Sequence, residues 1–429
     1  MSKISKKLTL ALLFIVSNQA HSAGFALNDQ SATYLGNAYA GTCSAAQDAS
    51  TGYYNPAGLS ELAHSQLLLG STYIKQNIRL IDGFATNNAG NPITGNNPTK
   101  PKANLLIPYG HVALRASKRF SFGLSVIEPF GLNTRYMNSD IAHLMASENK
   151  ITVVDISPSI GYKINSAFSI GAGLDFLRLK TRISSGDAWG SNSPEKDGYV
   201  INTASKWVMG YHLGVLLKPC CNTNVGIAYF SSFKPRFSGD TQSYAPLDFN
   251  GVTGVSYTLN LPDHINVGVT QRVNSRFTTM GEVQWTHWSK LKTLVMNYNA
   301  ADVSPGIKTF HFKNTWRISL GGDYKVGRML TLKGGVGYDQ SPNKSAYRSA
   351  MLPDSSQYLL ALGARITLNK QFSFVAGYSH SFYRKTSIAE MGSNDGLNQS
   401  PNVANKSTLN AQVKNATDKF GLQLVFNFI

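Results

Sequence analysis

Residues 23–64 read AGFALNDQSATYLGNAYAGTCSAAQDASTGYYNPAGLSELAH. This segment shows neither a sustained helical stripe of apolar residues nor the strict alternation of a strand. It is rich in Gly, Ala, Ser and Asn, and Asn55-Pro56-Ala57-Gly58 is typical of a turn. Such small residues suit a place where space is narrow. We therefore predict that residues 23–64 fill the inside of a barrel that the rest of the chain builds.

A leader precedes this segment. Lys3, Lys6 and Lys7 form a positively charged start, and residues 8–16 form an apolar run. Ala20-His21-Ser22 then supplies small residues at the positions that a signal peptidase reads. The apolar run is too short to cross a bilayer, which requires about 20 residues. The pattern predicts a signal peptide over residues 1–22, an exported protein, and no N-terminal membrane anchor.

The rest of the chain alternates between apolar and polar residues with a period of two, which indicates β-strands. The last segment is an example, with Phe420, Leu422, Leu424, Phe426 and Phe428 on one face. The opposite faces carry Gly, Ser and Gln as well as charges, and aromatic residues lie near strand ends. Both features favour a transmembrane barrel over a soluble sandwich.

The spacing of turns sets the predicted size of the barrel. Short turns such as residues 326–328 alternate with long polar loops such as residues 133–150, as in bacterial outer-membrane barrels with their long loops outside. At about ten residues a strand, residues 65–429 predict about fourteen antiparallel strands. Side chains alone do not fill so wide a barrel. The predicted class is therefore all-β, a barrel plugged by residues 23–64.

Composition disfavours several other functions. The formal net charge of +17 would suit attraction to anionic lipopolysaccharide or carboxylate ligands, or simply solvated loops, whereas the leader argues against nucleic acid. Three cysteines, Cys43, Cys220 and Cys221, give no disulfide framework and, without clustered His residues, no zinc site. The nine His residues are scattered and no Gly-x-Ser-x-Gly motif occurs, so an enzyme is disfavoured. No metal or cofactor is expected.

A series of short motifs resembles the FadL/TodX outer-membrane transporters in content and order. The motifs are Ala23–Asn28, Gly36–Gly41, Asp48, Asn55-Pro56-Ala57, Leu259–Pro262, Thr286–Ser289, Trp316–Gly321, Tyr338–Pro342 and Leu352–Asp354. The resemblance implies a fourteen-stranded barrel closed by an N-terminal hatch, located in the outer membrane, monomeric and without a cofactor. It further implies passive uptake of long-chain fatty acids or, as in some relatives, aromatic hydrocarbons.

The resemblance also implies a route and residues along it. A substrate would enter an apolar groove between outer loops, reach a pocket near the hatch N-terminus, and leave sideways through a gap at a kinked strand. The implied residues are Phe25 in the pocket, Lys308 and Asp339 at its polar end, Asn55, Pro56 and Ala57 of the hatch at the gap, and Pro129 and Gly131 at the kink.

Each assignment has a simpler alternative. Phe25 would otherwise serve hatch packing, residues 55–57 a generic turn, Lys308 and Asp339 solvated loop ends, and residues 128–132 the end of a strand. Ser185 stands where the family has a third pocket residue, an arginine, and Arg182 is the nearby substitute. Residues 141–145 predict a short helix, either lining the outer groove or solvated.

A third possible function is a surface adhesin or structural barrel, with residues 384–410 as a binding loop. This role is compatible with transport.

Overall fold

The computed structural model describes residues 24–87, 90–101, 103–187, 198–244, 251–299, 305–391 and 407–428. The predicted signal peptide, residues 1–22, lies outside this range, as does most of the predicted binding loop at residues 384–410. In the described ranges, no helix combines the length and apolar character that crossing a membrane requires.

The described chain is built almost entirely of β-strands. In chain order they are β1 Ser65–Gln76, β2 Arg79–Thr86, β3 Leu105–Arg115, β4 Phe120–Ile127, β5 Gly131–Arg135, β6 Glu148–Lys163, β7 Phe168–Asp187, β8 Gly198–Cys220, β9 Thr223–Phe230, β10 Arg236–Tyr244, β11 Gly251–Thr258, β12 His264–Arg272, β13 Phe277–Thr286, β14 Thr293–Tyr298, β15 Gly306–Thr309, β16 Thr315–Lys325, β17 Leu330–Asp339, β18 Gln357–Thr367, β19 Phe372–Tyr383, β20 Thr386–Met391, β21 Thr408–Lys414 and β22 Ala416–Phe428.

These strands form one closed antiparallel barrel. The first strand pairs with the last, so that Ser65 of β1 lies opposite Phe428 of β22. Several wall strands are interrupted: β8 pairs with both β9 and β10, and β6 pairs with both β4 and β5. When the pieces of each interrupted strand are counted as one, the wall has fourteen strands. This confirms the predicted all-β barrel. Strands β2, β21 and β20 form a separate three-stranded sheet.

The alternating sequence pattern is realised in the wall. On β22, Phe420, Leu422 and Leu424 are exposed on the outer face, whereas Gln423 and Val425 between and beyond them are buried. An outer face of large apolar side chains suits the hydrocarbon region of a bilayer, and polar inner positions suit a filled lumen.

The N-terminal segment, residues 24–64, packs inside the barrel. It contains two single-turn helices, α1 Ala32–Leu35 and α2 Thr51–Tyr54, and a 3₁₀-helix, Pro56–Glu61. Helices this short are unstable in isolation. Here the wall supports them: Gln423 of β22, for example, accepts a hydrogen bond from the Ala32 amide at 2.8 Å. Residues 29–44 are all buried.

Candidate functional site

The barrel wall is interrupted where Pro129 lies between β4 and β5. On the neighbouring strand β6, Asp155 pairs with Ile127 and Thr152 pairs with Gly131. Residues 128–130 of the interrupted strand therefore lie opposite only two residues of β6. Proline contributes no N–H to a ladder, so it favours such a break. The ladder between β3 and β4 stops at Gly110, and in the described pairings residues 105–109 of β3 bond only to β1. A gap in the wall therefore lies between β3 and β5.

The start of the N-terminal segment covers this gap from inside. The Leu27 amide donates to the Pro129 carbonyl at 2.9 Å, and the Gly131 amide donates to the Phe25 carbonyl at 3.0 Å. A Cβ on Gly131 would lie 2.7 Å from Leu27 Cδ1, so the end of the Leu27 side chain would have to shift. Glycine at 131 therefore permits the segment to approach the kink. Pro129 and Gly131 thus lie at the interruption of the wall, and their part in a lateral gate stays a prediction.

A cavity of ≈60 Å³ lies at the gap. Its lining combines the N-terminal segment with both edges of the gap and the neighbouring loops: Gly24, Leu27, Gln76, Ile78, Leu105, Gly131, Leu132, Asn133, Thr134, Leu352, Pro353, Asp354, Tyr383 and Asn415. The gap is therefore continuous with space inside the barrel, next to the start of the N-terminal segment.

Phe25 lies in an aromatic cluster beside the gap. Its ring contacts Trp288 edge-on, with centroids 5.0 Å apart, and lies 6.1 Å from the Phe130 ring. The Phe25 side chain is buried and belongs to the large apolar cluster formed with the outer loops. This position is compatible with both roles that the sequence left open, a pocket wall and simple packing. Trp288, its main partner, is not identifiable from sequence because 263 positions separate the two residues along the chain.

Asn55, Pro56 and Ala57 contact a different part of the wall. The Asn55 side chain donates to the Val215 carbonyl of β8 at 3.0 Å, and its Oδ1 accepts from the Ala57 amide at 3.1 Å. Pro56 and Ala57 pack directly on Gly161 of β6 and Gly171 of β7. The motif therefore lies against β6–β8, and not at the gap between β3 and β5 that the resemblance implied.

Lys308 is held in an ion pair. Its Nζ lies 2.6 Å from Glu390 Oε1, and Glu390 Oε2 accepts from the Ala350 amide at 2.7 Å. Lys308 lines a cavity of ≈30 Å³ whose other walls are mainly apolar, including Met145, Leu294, Met296, Tyr298 and Met351. A carboxylate ligand at this lysine would therefore meet a carboxylate that is already bonded to it. Sequence reasoning missed Glu390, because no local pattern connects it to Lys308.

The other residues implied for the polar end lie elsewhere. Asp339, at the end of β17, is buried and accepts a hydrogen bond from Gln357 at 3.3 Å. Arg182 pairs with Glu148 of the neighbouring strand at 2.8 Å and is 41 % exposed. Neither residue lines the Lys308 cavity. Ser185 lies on β7 opposite Val200, and its side chain is outside the described part of the structure.

Residues 141–145 differ from both predictions made for them. They form consecutive turns instead of a helix, and all five are buried instead of solvated. Ile141, Leu144 and Met145 join the same apolar cluster as Phe25, and Met145 reaches the Lys308 cavity. The apolar sequence of this loop is therefore used for packing over the barrel interior.

The remaining polar groups of interest are the possible metal ligands and the cysteines. Among them, no group of three or more His, Cys, Asp or Glu side chains is arranged to hold a metal ion. Cys43 is buried with its thiol near the Gly226 carbonyl, and Cys220 and Cys221 are exposed free thiols.

A closed barrel with an apolar outer face, an interior segment and a wall gap defines an outer-membrane transport protein of the β-barrel class. The chain belongs to the family described as "Outer membrane protein transport protein (OMPP1/FadL/TodX)", whose model matches residues 13–428. It is therefore an outer-membrane transporter of hydrophobic compounds and not an enzyme.

Individual relatives support this assignment. The chain is 26 % identical over 403 residues to the long-chain fatty acid transport protein of Salmonella typhi, covering 88 % of this chain and 91 % of that one. The crystal structure of a Pseudomonas aeruginosa FadL homologue superimposes with a TM-score of 0.86 at 22 % identity, covering 95 % of this chain and all of that one. The Pseudomonas putida toluene transporter TodX gives a TM-score of 0.67 at 14 % identity, covering 95 % and 100 %. Both structures share the fold of this chain.

Proposed function

We propose that the protein takes up long-chain fatty acids passively: capture between the outer loops, transfer to a pocket beside residues 24–27, and lateral release into the membrane. The observation that carries this proposal is the gap between β3 and β5, with its cavity and its inner cover of residues 25–27. The name of the Salmonella typhi relative supports the choice of substrate.

The driving force for such a route is hydrophobic. Burying an alkyl chain gains about 0.8 kcal/mol for each CH₂, so a long tail strongly favours a dry groove over water. Release through the side of the wall delivers the tail directly to the bilayer. Movement down a concentration gradient requires no cofactor and no covalent step.

In this proposal, residues 23–64 act as the hatch and residues 65–429 as the barrel. Opening the gap requires breaking the two backbone hydrogen bonds between residues 25–27 and residues 129–131. A local displacement of the start of the hatch is sufficient for this. The ladder between β1 and β22 closes the barrel, so neither terminal strand has a free edge for a second copy, which supports a monomer. The basic composition supports association with lipopolysaccharide.

Deleting Pro129 tests lateral release. After the deletion, two residues remain between Ile127 and Gly131, opposite the two residues 153–154 of β6. β4 and β5 then become one continuous strand, and the gap closes. We expect uptake of oleate into proteoliposomes to fall about tenfold or more, because the lateral route is blocked. Binding of oleate to the purified protein should persist.

Pro129→Ala is the matched control, because it keeps the three-residue interruption and should keep most of the uptake. Full uptake by the deletion variant, in a correctly folded barrel, would reject lateral release.

Aromatic hydrocarbons are the second candidate substrate class. The specific observation in their favour is the Lys308–Glu390 pair, which leaves the adjoining apolar cavity without a free charge for a carboxylate. The fold shared with the Pseudomonas putida toluene transporter is compatible with this reading but does not select it.

Changing the two members of this pair separates the substrate classes. If the Lys308 cavity binds fatty acids, Lys308→Ala should weaken oleate binding about tenfold, because Glu390 then repels the carboxylate. Glu390→Gln should strengthen oleate binding. Toluene binding should change little in either variant. Calorimetry on the purified protein measures both ligands.

Toluene binding without oleate binding would assign the protein to hydrocarbon uptake. Binding of neither ligand would favour the adhesin role.

A further inference from the structure

A separate cavity lies deeper in the barrel, between the N-terminal segment and strands β6–β13. Its volume is ≈30 Å³, which is room for about two water-sized groups. One end is aromatic, with Phe130 and Phe233 at a centroid distance of 6.5 Å. Phe130 also forms the bridge to Ala26 that covers the wall gap. The cavity therefore adjoins the proposed exit.

The other end of this cavity is lined by hydrogen-bond acceptors. Of the buried side-chain oxygens without a hydrogen-bond partner among the described residues, four belong to residues of this lining: Asp155 Oδ1, Asp175 Oδ2, Asn266 Oδ1 and Gln284 Oε1. The exposed fractions of these residues are only 1–6 %. Buried acceptors without a donor are rare because they lose their hydration without replacement. We name this end the acceptor chamber.

Several nearby donors are already used, although Arg317 Nη1, across the ladder from Gln284, is a buried donor without a partner among the described residues. Asp175 Oδ1 accepts from Ser157 at 3.0 Å and pairs with His212 Nδ1 at 2.8 Å. The Gln284 amide donates to Thr286 Oγ1 at 3.1 Å. The four free oxygens come from strands β6, β7, β12 and β13, so they converge from separate parts of the wall. What the acceptor chamber lacks is a donor from outside the wall.

We propose that the acceptor chamber binds the neutral, hydrogen-bond-donating head of an amphiphile: an alcohol, or a carboxylic acid in its protonated form. The head would occupy the chamber while the tail lies toward Phe130 and the gap. This inference rests on the proposed function of lateral release. The volume of the cavity suits a hydroxyl or carboxyl group only, so the tail would leave the cavity past Phe130 and extend into the gap.

The chemistry of the chamber selects against other ligands. An ionised carboxylate has no proton to donate to these acceptors. A metal ion is disfavoured because the described residues contain no cluster of three ligands of the kinds that hold one. A head group that loses its charge before release also enters the bilayer more readily, because burying a charge is costly.

The test compares 1-decanol with decanoate at pH 8, where the acid is ionised. Binding of both ligands is measured on the full-length protein in lipid nanodiscs, for the wild type and for Asp155→Asn/Asp175→Asn. Replacing both carboxyls by amides supplies N–H donors to a carboxylate and should shift the ratio of the two affinities about tenfold toward decanoate. Asp240→Asn, at an exposed carboxylate of β10, is the matched control and should leave the ratio unchanged.

The change in the ratio, and not its absolute value, reports on the chamber, because decanoate also has the Lys308 cavity available. An unchanged ratio in the double variant would overturn the chamber proposal and leave it a water site, with the proposed uptake intact. Failure of the wild type to bind either ligand would instead reject the proposed function. Should the double variant not fold, Asp155→Asn alone keeps the Asp175–His212 bond and gives the same comparison.

Discussion

Both halves of the N-terminal segment lie directly on wall glycines, but only the first half is also held by buried ion pairs. In residues 29–48, two buried carboxylates pair with wall cations: Asp29 with Lys419 at 3.0 Å and Asp48 with Arg365 at 3.0 Å. In residues 51–61, the contact is mainly one of shape, because Pro56 and its neighbours lie directly on wall glycines. The ion pair of this second half, between Glu61 and two lysines, lies at the half-exposed rim.

This difference indicates which part of the N-terminal segment is fixed in the barrel. Removing one partner of a buried ion pair leaves an uncompensated charge, which costs several kcal/mol. The first half therefore sets the position of the whole segment, through strands β18 and β22. The cover of the wall gap between β3 and β5 is held instead by the backbone hydrogen bonds between residues 25–27 and residues 129–131, which involve neither Asp29 nor Asp48. The cover of the gap can therefore move without breaking either buried pair.

The largest expected effect comes from filling the space on which the second half rests. A Cβ at Gly161 would lie 2.6 Å from the Pro56 carbonyl oxygen and 3.0 Å from Leu59 Cβ, and backbone cannot yield. We expect Gly161→Val to destabilise the folded barrel by about 3 kcal/mol or to prevent its assembly. Thermal unfolding of the purified protein, read by the loss of β-structure, measures the change.

Gly334→Ala is the control for this variant, because the nearest atom to its Cβ is 3.9 Å away and no overlap results. Equal stability of Gly161→Val and the wild type would mean that the second half is free to shift, and the contrast between the halves would fail.

A smaller effect is expected from the charges, and it should differ between the halves. Asp48→Ala leaves Arg365 without its carboxylate, and we expect a loss of about 2–3 kcal/mol. Glu61→Ala removes only the rim pairs with Lys163 and Lys218, worth about 1 kcal/mol or less. Chemical denaturation of both variants under the same conditions gives the comparison. A larger loss for Glu61→Ala would reverse the assignment of the anchoring half.

The sequence predicted those features that follow from local chemistry. Alternation gave the barrel because each strand must face lipid on one side and lumen on the other, and Pro129 with Gly131 indicated the break because both residues weaken a ladder. The small residues of the N-terminal segment indicated a narrow interior. The signal peptide and the hatch boundary remain predictions.

The arrangement of the candidate site was less predictable, because it depends on contacts between distant residues. Glu390 neutralises Lys308 across 82 positions, and the chamber oxygens come from four strands. The placement of residues 55–57 against β6–β8 depends on how the segment is rotated inside the barrel. Neither a motif nor a hydrophobic period encodes that rotation.

The smallest effect concerns the pH dependence of the first half. Burial acts to raise the pKa of Asp48, but Arg365 and the hydroxyls of Ser50 and Thr33 together hold that pKa below its ordinary value of 3.8. A carboxyl whose pKa is lower in the folded state stabilises the fold above its unfolded pKa and loses that contribution as pH falls through the folded pKa. The difference in melting temperature between the wild type and Asp48→Asn should therefore stay constant from neutral pH to about pH 4.5 and shrink only below about pH 4. A difference that already shrinks between pH 7 and pH 5 would show that Asp48 is protonated in the folded protein, and the first half would then be held by hydrogen bonds and shape, like the second.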